Sequence, residues 1–245
     1  MHKHIILNNG LPMPIVGFGT WMLKGEAGKR AVLDALAVGY RLIDTAHMYD
    51  NEAMVGQAVA ESGLRREDIF ITTKLCQTRA GYELAWQGIE ESLARLQTDY
   101  IDLLLIHEPY DEALDMYRAL TEAYHKGIVR AIGISNFNAR EYLEFIGSCD
   151  VIPAINQVEC HVYYRRKELQ QTLVAQGTQM QAWSPFTEGK KPYSRNPSCR
   201  LSARNIVKRR HRLPCSTWYN RASVSSRNHP IGTGWPKTSI FSTSP

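Results

Sequence analysis

The feature that most constrains the fold of this chain is a regular alternation of short apolar runs with longer amphipathic segments across residues 16–183. The apolar runs have strand length, and the segments between them carry apolar residues at helical spacing. Strands that alternate with helices pair in parallel and wind right-handed. The predicted strands are 16–19, 41–43, 69–74, 101–106, 129–134, 154–158 and 179–183, and the predicted helices are 27–38, 52–62, 81–96, 112–126, 139–146 and 167–176.

This pattern predicts an α/β fold, a (β/α)8 TIM-type barrel preceded by an N-terminal β-hairpin that turns at Asn9-Gly10. The length of 245 residues suits one such barrel. Only seven barrel strands are recognisable, so we expect an incomplete barrel whose eighth strand-helix unit is missing. A doubly wound dinucleotide-binding fold is the alternative. Its Gly-x-Gly-x-x-Gly phosphate loop could begin at Gly17 and Gly19, but Met22 occupies the position of the third glycine.

Charge divides the chain into two parts. Residues 193–245 hold ten Lys and Arg and no Asp or Glu. Subtracting these ten from the chain's 29 basic residues leaves 19 against all 24 acidic residues, a net charge of −5 for residues 1–192. We therefore expect a barrel domain at 1–192 and a basic, disordered tail at 193–245.

The composition favours a cytoplasmic enzyme. No apolar stretch is long enough to span a bilayer, and the N-terminus lacks an apolar signal segment. The odd number of cysteines argues against a disulfide framework, and their spacing predicts no metal site. These cysteines are Cys76, Cys149, Cys160, Cys199 and Cys215.

A candidate site begins at Asp44, which ends a predicted strand and is followed by Tyr49 and Asn51-Glu52. Polar groups at a strand's carboxyl end suit the ligand-facing side of an α/β barrel. Taken alone, these residues fit a helix cap followed by a polar loop as well as they fit a functional site.

Taken together, several motifs resemble those of the aldo-keto reductases, in particular the NADPH-dependent diketogluconate and glyoxal reductases. The resemblance covers residues 5–185, and its pieces stand in the family's order. These are Asp44-Thr45-Ala46, Tyr49, Asn51-Glu52, Thr72-Thr73-Lys74, Leu103-Leu104-Leu105-Ile106-His107, Gly133-Ile134-Ser135-Asn136-Phe137 and Asn156-Gln157-Val158-Glu159.

The resemblance implies a catalytic tetrad of Tyr49, Lys74, Asp44 and His107. Tyr49 would protonate the carbonyl oxygen, but a free phenol has a pKa near ~10. A neighbouring Lys74, held charged by Asp44, would lower that pKa. His107 would hydrogen-bond the substrate oxygen and help to polarise it.

The resemblance also implies NADPH as cofactor, because no side chain supplies a hydride. Amide and hydroxyl side chains suit the nicotinamide carboxamide, and an aromatic ring can stack on the nicotinamide. The implied cofactor contacts are Thr20, Ser135, Asn136, Gln157, Trp183 and Ser184. Trp21 and Glu108 are expected in the substrate pocket; Glu108 stands where the family commonly has Trp, and Val162 stands where Pro is common.

The family pattern ends after Pro192. The family would continue with an eighth strand and an Ile-Pro-Lys-Ser segment that grips the cofactor phosphates. If each new codon takes the last base of one codon and the first two bases of the next, residues 218–244 permit VQSGVGVIPKSSHRNRLAENVDIFDF. That string contains Ile-Pro-Lys-Ser, a following Arg, Glu-Asn and a closing Asp-Phe. Our hypothesis is a frameshift of one nucleotide near Pro192, which makes the tail an out-of-frame translation.

The expected function is reduction of small aldehydes and ketones, such as keto-sugars and dicarbonyls, by hydride transfer from NADPH. The expected partner is a small carbonyl substrate, with no specific nucleic acid or membrane, and the expected state is a monomer. The alternative is an inactive barrel fragment whose basic tail binds polyanions non-specifically.

Overall fold

The computed structural model describes residues 3–187 and 224–227. Strands and helices alternate as predicted, and their ends differ from the predicted ends by at most three residues. The strands are β1 His4–Ile6, β2 Pro12–Pro14, β3 Val16–Gly19, β4 Leu42–Asp44, β5 Phe70–Leu75, β6 Leu103–Ile106, β7 Ile132–Ser135, β8 Ile155–Glu159, β9 Gln179–Trp183 and β10 Val224–Arg227. The helices are α1 Gly25–Ala37, α2 Glu52–Glu61, α3 Tyr82–Leu96, α4 Ala113–His125, α5 Ala139–Ile146 and α6 Lys167–Ala175.

The predicted N-terminal hairpin is confirmed. Strands β1 and β2 pair antiparallel, and Gly10 turns the chain with a φ of 83°, a value that glycine adopts without strain. Leu7 and Met13 are buried in one cluster with residues at or near the starts of the barrel strands, including Leu42, Phe70 and Leu103. The hairpin therefore packs against the N-terminal ends of the strands and leaves their carboxyl ends for the site.

The (β/α)8 class of barrel is confirmed. Strands β3 to β9 pair in parallel in chain order, and each apolar strand is buried between the barrel interior and the outer helices. Such burial on both faces explains why runs such as Leu103–Ile106 contain no alternating polar residue.

The expected absence of an eighth strand is corrected by the structure. Within the predicted tail, Val224–Arg227 forms β10, which pairs in parallel with both β3 and β9 and closes the barrel. The hydrogen bonds of a strand come from the backbone, so the unpaired edges of β3 and β9 accept an extended segment whatever its sequence. The sequence pattern missed β10 because Val-Ser-Ser-Arg has no apolar run. The rest of the predicted disordered tail lies outside the described residues.

The outer helices pack closely on one another and on the strands. A Cβ at Gly56 of α2 would lie 2.7 Å from the backbone of Arg95 and Leu96, so glycine lets α2 approach the end of α3. Helix α5 begins at a capping box in which Asn138 and Glu141 satisfy each other's backbone N–H groups. In the described part of the chain, no helix has the length and apolar character needed to cross a membrane.

Candidate active site

A buried ion pair forms the centre of the candidate active site. Asp44 ends β4, and Lys74 lies near the end of the adjacent strand β5. Lys74 Nζ donates to Asp44 Oδ1 at 2.5 Å and to the Thr45 carbonyl at 2.8 Å. Burial by itself lowers the pKa of Lys74, but the nearby Asp44 and Tyr49 outweigh it and raise that pKa. Lys74 is therefore an ammonium at neutral pH.

Tyr49 lies against this ammonium. It belongs to a 3-10 turn, His47–Tyr49, which Thr45 and Ala46 connect to β4. Lys74 Nζ is 5.1 Å from the centroid of the Tyr49 ring. Trp21, at 4.8 Å between ring centroids, and His107, at 5.7 Å, both meet the Tyr49 ring edge to face.

The pKa of Tyr49 differs from the sequence-based expectation. Burial raises it above the usual value, whereas Lys74 acts in the predicted direction and lowers it. Asp44 also raises it. Because burial is the largest effect, the net shift is upward, and the phenol keeps its proton at neutral pH.

His107 follows β6 directly and is buried. Burial, and then the charge of Lys74, lower the pKa of His107 to about 3. The imidazole is therefore neutral at physiological pH. Its Nδ1 has no hydrogen-bond partner among the described residues. A neutral ring with an unsatisfied nitrogen beside Tyr49 is suited to hydrogen-bond a bound polar group.

The amide of Gln157 joins β8 to the ion pair. Gln157 Nε2 donates to Asp44 Oδ2 at 2.6 Å and to Gln181 Oε1 at 3.0 Å. Ser135, at the end of β7, donates to the Gln157 carbonyl at 2.8 Å. The predicted cofactor residues Ser135 and Gln157 therefore lie beside the predicted tetrad.

Asn136 joins the predicted cofactor and substrate groups. Its Nδ2 donates to Glu108 Oε1 at 2.7 Å and to the His107 carbonyl at 3.2 Å, and its Oδ1 accepts from Trp183 Nε1 at 2.7 Å. The Asn136 backbone has a φ of 67°, in the left-handed region, which asparagine tolerates better than most residues. Burial raises the pKa of Glu108, and the hydrogen bond from Asn136 opposes this rise.

Thr20 and Ser184 complete the predicted group. Thr20 follows β3, is buried, and donates through Oγ1 to the Asp44 carbonyl at 3.0 Å. Ser184 follows Trp183 at the end of β9 with a left-handed φ of 48°. All of the predicted site residues thus lie at the carboxyl ends of the barrel strands or just beyond them.

The sequence analysis missed Gln181 as a member of this network. Its Oε1 orients the Gln157 amide, while its Nε2 has no hydrogen-bond partner among the residues that the structure describes. The available signal was a glutamine inside an otherwise buried strand, which predicts a polar group facing the barrel interior. Asn51 has a supporting role: it donates to the carbonyls of Thr20 and Leu23 and accepts from Thr45 Oγ1.

The donor set fits a nicotinamide. Ser135, Asn136 and Gln157 offer hydroxyl and amide groups, which match the donor and acceptor atoms of a carboxamide. Trp183 provides an aromatic ring next to them. The unsatisfied nitrogens of His107 and Gln181 show that this end of the barrel carries polar groups that the protein itself does not pair. The predicted phosphate-binding segment lies outside the described residues.

Comparison with known proteins identifies the family to which the chain belongs. The model of the Aldo/keto reductase family matches residues 15–222, and the chain belongs to this family. It is 43% identical over 185 residues to the glyoxal reductase of Bacillus subtilis, covering 75% of this chain and 67% of that one. It is 42% identical over 185 residues to the morphine 6-dehydrogenase of Pseudomonas putida, with 74% of this chain covered. The match spans only 62% of that relative's length.

A solved structure supports the fold. The Bombyx mori aldo-keto reductase in complex with NADP superposes with a TM-score of 0.78 and 31% sequence identity. The match covers 84% of this chain and 76% of the silkworm protein.

Proposed function

We propose that this protein reduces small aldehydes and ketones, including keto-sugars and dicarbonyls, to alcohols by hydride transfer from NADPH. The arrangement of Lys74 supports this proposal most strongly. Its ammonium is fixed 2.5 Å from Asp44 and 5.1 Å from the centroid of the Tyr49 ring, and the neutral His107 lies on that ring's edge. A protonated phenol, a fixed cation and a neutral imidazole are the groups that a carbonyl oxygen needs when it gains a proton.

Each of these side chains has a separate role in the mechanism. A reduced nicotinamide, when bound, supplies the hydride. Tyr49 donates its proton to the substrate oxygen, and Lys74 stabilises the phenolate that remains. His107 hydrogen-bonds the same oxygen as negative charge develops on it. Asp44 keeps Lys74 in place.

The cofactor assignment rests on the polar groups at the ends of β7, β8 and β9. Ser135, Asn136 and Gln157 would hold the carboxamide, and Trp183 would pack on the ring. The choice of NADPH is supported by the silkworm relative, whose structure contains NADP. The free thiols of Cys76, Cys149 and Cys160 are in keeping with a cytoplasmic location, and a monomer is part of the same proposal.

We also propose that residues 193–245 are translated out of frame. In the shifted frame, the codons of residues 224–228 can encode V-I-P-K. The same stretch of the present chain, Val224–Arg227, forms the eighth strand of the barrel. The native frame would then supply both a better strand and the missing phosphate-binding segment. Sequencing the coding DNA across Pro192 tests this proposal directly.

Titration with NADPH, followed by addition of methylglyoxal, tests the function. Quenching of tryptophan fluorescence and loss of NADPH absorbance on adding the aldehyde are the expected results, because Trp183 and Trp21 lie at the site. Salt-sensitive binding to DNA without quenching would favour an inactive barrel with a polyanion-binding tail instead.

A further inference from the structure

A second cluster of reactive side chains lies beside the tetrad and plays no part in carbonyl reduction. Cys76 directly follows β5, two residues after Lys74. Its Sγ is 3.9 Å from His47 Nδ1 and 3.3 Å from Thr78 Oγ1. The cluster thus places a thiol, a base and a hydroxyl together.

The imidazole of His47 is held by an acidic partner on α3. His47 Nε2 is 3.1 Å from Glu91 Oε2. Glu91 is fixed in turn, because the same oxygen accepts from Arg79 at 2.6 Å and from Arg95 at 3.2 Å. Arg79 Nε is also within 3.5 Å of His47 Nε2, a longer contact than that with Glu91. When Nε2 donates its proton to Glu91, Nδ1 is free to take the proton of the thiol. This is the arrangement by which a carboxylate and a histidine activate a cysteine nucleophile.

We propose that Cys76, His47 and Glu91 form a reactive thiol site at which hydrogen peroxide oxidises Cys76 to a sulfenic acid. The thiolate sulfur attacks one peroxide oxygen, so an S–O bond forms and the O–O bond breaks. Sulfur gives two electrons to the peroxide. The leaving hydroxide takes the proton that His47 received from the thiol and departs as water. The site goes beyond the proposed reductase function and does not depend on it.

The ionisation of the two partners agrees with this geometry. The hydrogen bond with His47 lowers the pKa of the Cys76 thiol to about 7, and Thr78 contributes in the same direction. The hydrogen bond with Cys76, followed by that with Glu91, raises the pKa of His47 against the effect of burial. A substantial part of Cys76 is therefore thiolate at neutral pH. The other charged or titratable groups that act on this pair are Glu52, Arg79, Arg95 and Tyr110.

The other thiols of the described barrel provide internal controls. Burial raises the pKa of Cys149 to about 12, and burial also raises the pKa of Cys160. At neutral pH, both thiols are therefore much poorer in thiolate than Cys76. Both control thiols donate to backbone carbonyls, and neither is hydrogen-bonded to an imidazole among the described residues.

The small exposed surface of Cys76 limits the size of the oxidant that can reach its thiol. Cys76 is 7% exposed, so a small reagent can reach it whereas another protein's disulfide cannot dock on it. Hydrogen peroxide is small and uncharged, which suits a thiol with so little exposed surface.

The test treats the full-length protein with hydrogen peroxide and then with a dimedone probe, which labels sulfenic acids, and locates the label by mass spectrometry. We expect Cys76 to be labelled at least about tenfold faster than Cys149 and Cys160. The rate at Cys76 should fall about tenfold for each pH unit below about 6, because the thiolate is then protonated. Equal labelling of the three thiols, or a rate that does not fall below neutral pH, would overturn the proposal.

Two variants separate activation from exposure. His47→Gln removes the base and should slow labelling of Cys76 about tenfold or more at pH 7, with the rate recovering at higher pH. Glu91→Gln should give a smaller loss, because His47 remains but is less well held. Melting followed by circular dichroism checks that both variants are folded. An unchanged rate and pH profile in folded His47→Gln protein would exclude the assigned role of His47.

Discussion

Lys74 and Asp44 form an ion pair in which both side chains are almost completely buried, with exposures of 1% and 4%. The second oxygen of Asp44 accepts from Gln157 Nε2 at 2.6 Å, so both carboxylate oxygens have partners. A buried charge without a partner is costly, which keeps the pair together. The position of the Lys74 ammonium is thereby fixed before any substrate binds, and Tyr49 lies beside a preorganised cation.

The first prediction concerns the stability that this pair supplies. Lys74→Met leaves the Asp44 carboxylate buried without a cation and should lower the free energy of unfolding by about 3–5 kcal/mol. Denaturant melts measure the change. The matched control is Lys126→Met, which removes an exposed ion pair with Glu122 and should cost less than about 1 kcal/mol. Equal losses in the two variants would contradict the role assigned to the buried pair.

The same pair predicts a loss of stability in alkali. The folded-state pKa of Lys74 is raised above its ordinary value of 10.5. The stabilisation is therefore complete below the unfolded pKa and is lost as pH rises through the folded value. Wild-type protein should lose part of its unfolding free energy above about pH 10.5. Lys74→Met protein should lack that part of the pH dependence.

The next prediction tests the proton donor. Tyr49→Phe keeps the ring that packs on Trp21 and His107 but removes the acidic proton. Carbonyl reduction should fall by roughly 10²–10⁴-fold, while NADPH still quenches tryptophan fluorescence. Single-turnover measurements isolate the chemical step from cofactor binding. Full activity in this variant would mean that another group protonates the substrate.

Much of the barrel could be predicted because its elements are long and strongly patterned. Residues 16–19, 139–146 and 179–183 begin and end where the sequence places them, and the other predicted barrel elements differ only at their ends. Val224–Arg227 could not be predicted, because its strand depends on backbone pairing with β3 and β9 and its residues carry no apolar pattern. Pairing with a free edge is a tertiary effect that a local sequence does not encode.

The convergence of the candidate site residues was predictable, but their ionisation was predictable only in part. Asp44, Tyr49, Lys74 and His107 converge because parallel strands bring their carboxyl ends to one end of the barrel. The upward pKa shift of Tyr49 was missed, because burial depends on the surrounding packing. The contact between Cys76 and His47 was missed for the same reason: the two residues are 29 positions apart, and no spacing rule joins them.

A further prediction concerns the charge state of His107. With a pKa of about 3, the ring stays neutral across the physiological range. The pH profile of kcat/KM should therefore show no step near ~6.5, where a free histidine titrates. His107→Gln keeps a neutral hydrogen-bond donor and should retain more activity than His107→Phe, which we expect to lose roughly 10²–10³-fold. A step near ~6.5 that disappears in His107→Gln would show that the ring is charged during turnover.

Glu108 is expected to influence which substrates the pocket accepts. Its carboxylate lies next to Asn136 and raises the pKa of Tyr49 through its charge. Carbonyl substrates that carry an ammonium group should therefore be favoured over neutral ones of the same shape. Betaine aldehyde and 3,3-dimethylbutanal form such a pair. Glu108→Gln, which can still accept from Asn136, should lower the ratio of their kcat/KM values about tenfold. An unchanged ratio would exclude this role while leaving the reductase proposal intact.

The last prediction compares this chain with a version whose reading frame is corrected by one base after the codon for Pro192. In the present chain, Val-Ser-Ser-Arg closes the barrel through its backbone, and its sequence is less apolar than that of most other barrel strands. Burying the more apolar V-I-P of the shifted frame should add to the free energy of unfolding on the order of 1.5–3 kcal/mol for each fully buried side chain.

The corrected chain also regains the Lys and Arg of the phosphate-binding segment, and charge-assisted hydrogen bonds are worth roughly 1.5–3 kcal/mol each. Two of them correspond to at least about a hundredfold in NADPH affinity. We therefore expect the corrected protein to melt cooperatively at a higher temperature, bind NADPH more tightly and turn over methylglyoxal faster. Equal melting temperatures, equal NADPH affinities and equal turnover in the two proteins would mean that the shifted frame adds neither packing nor cofactor contacts, and the frameshift hypothesis would then be wrong.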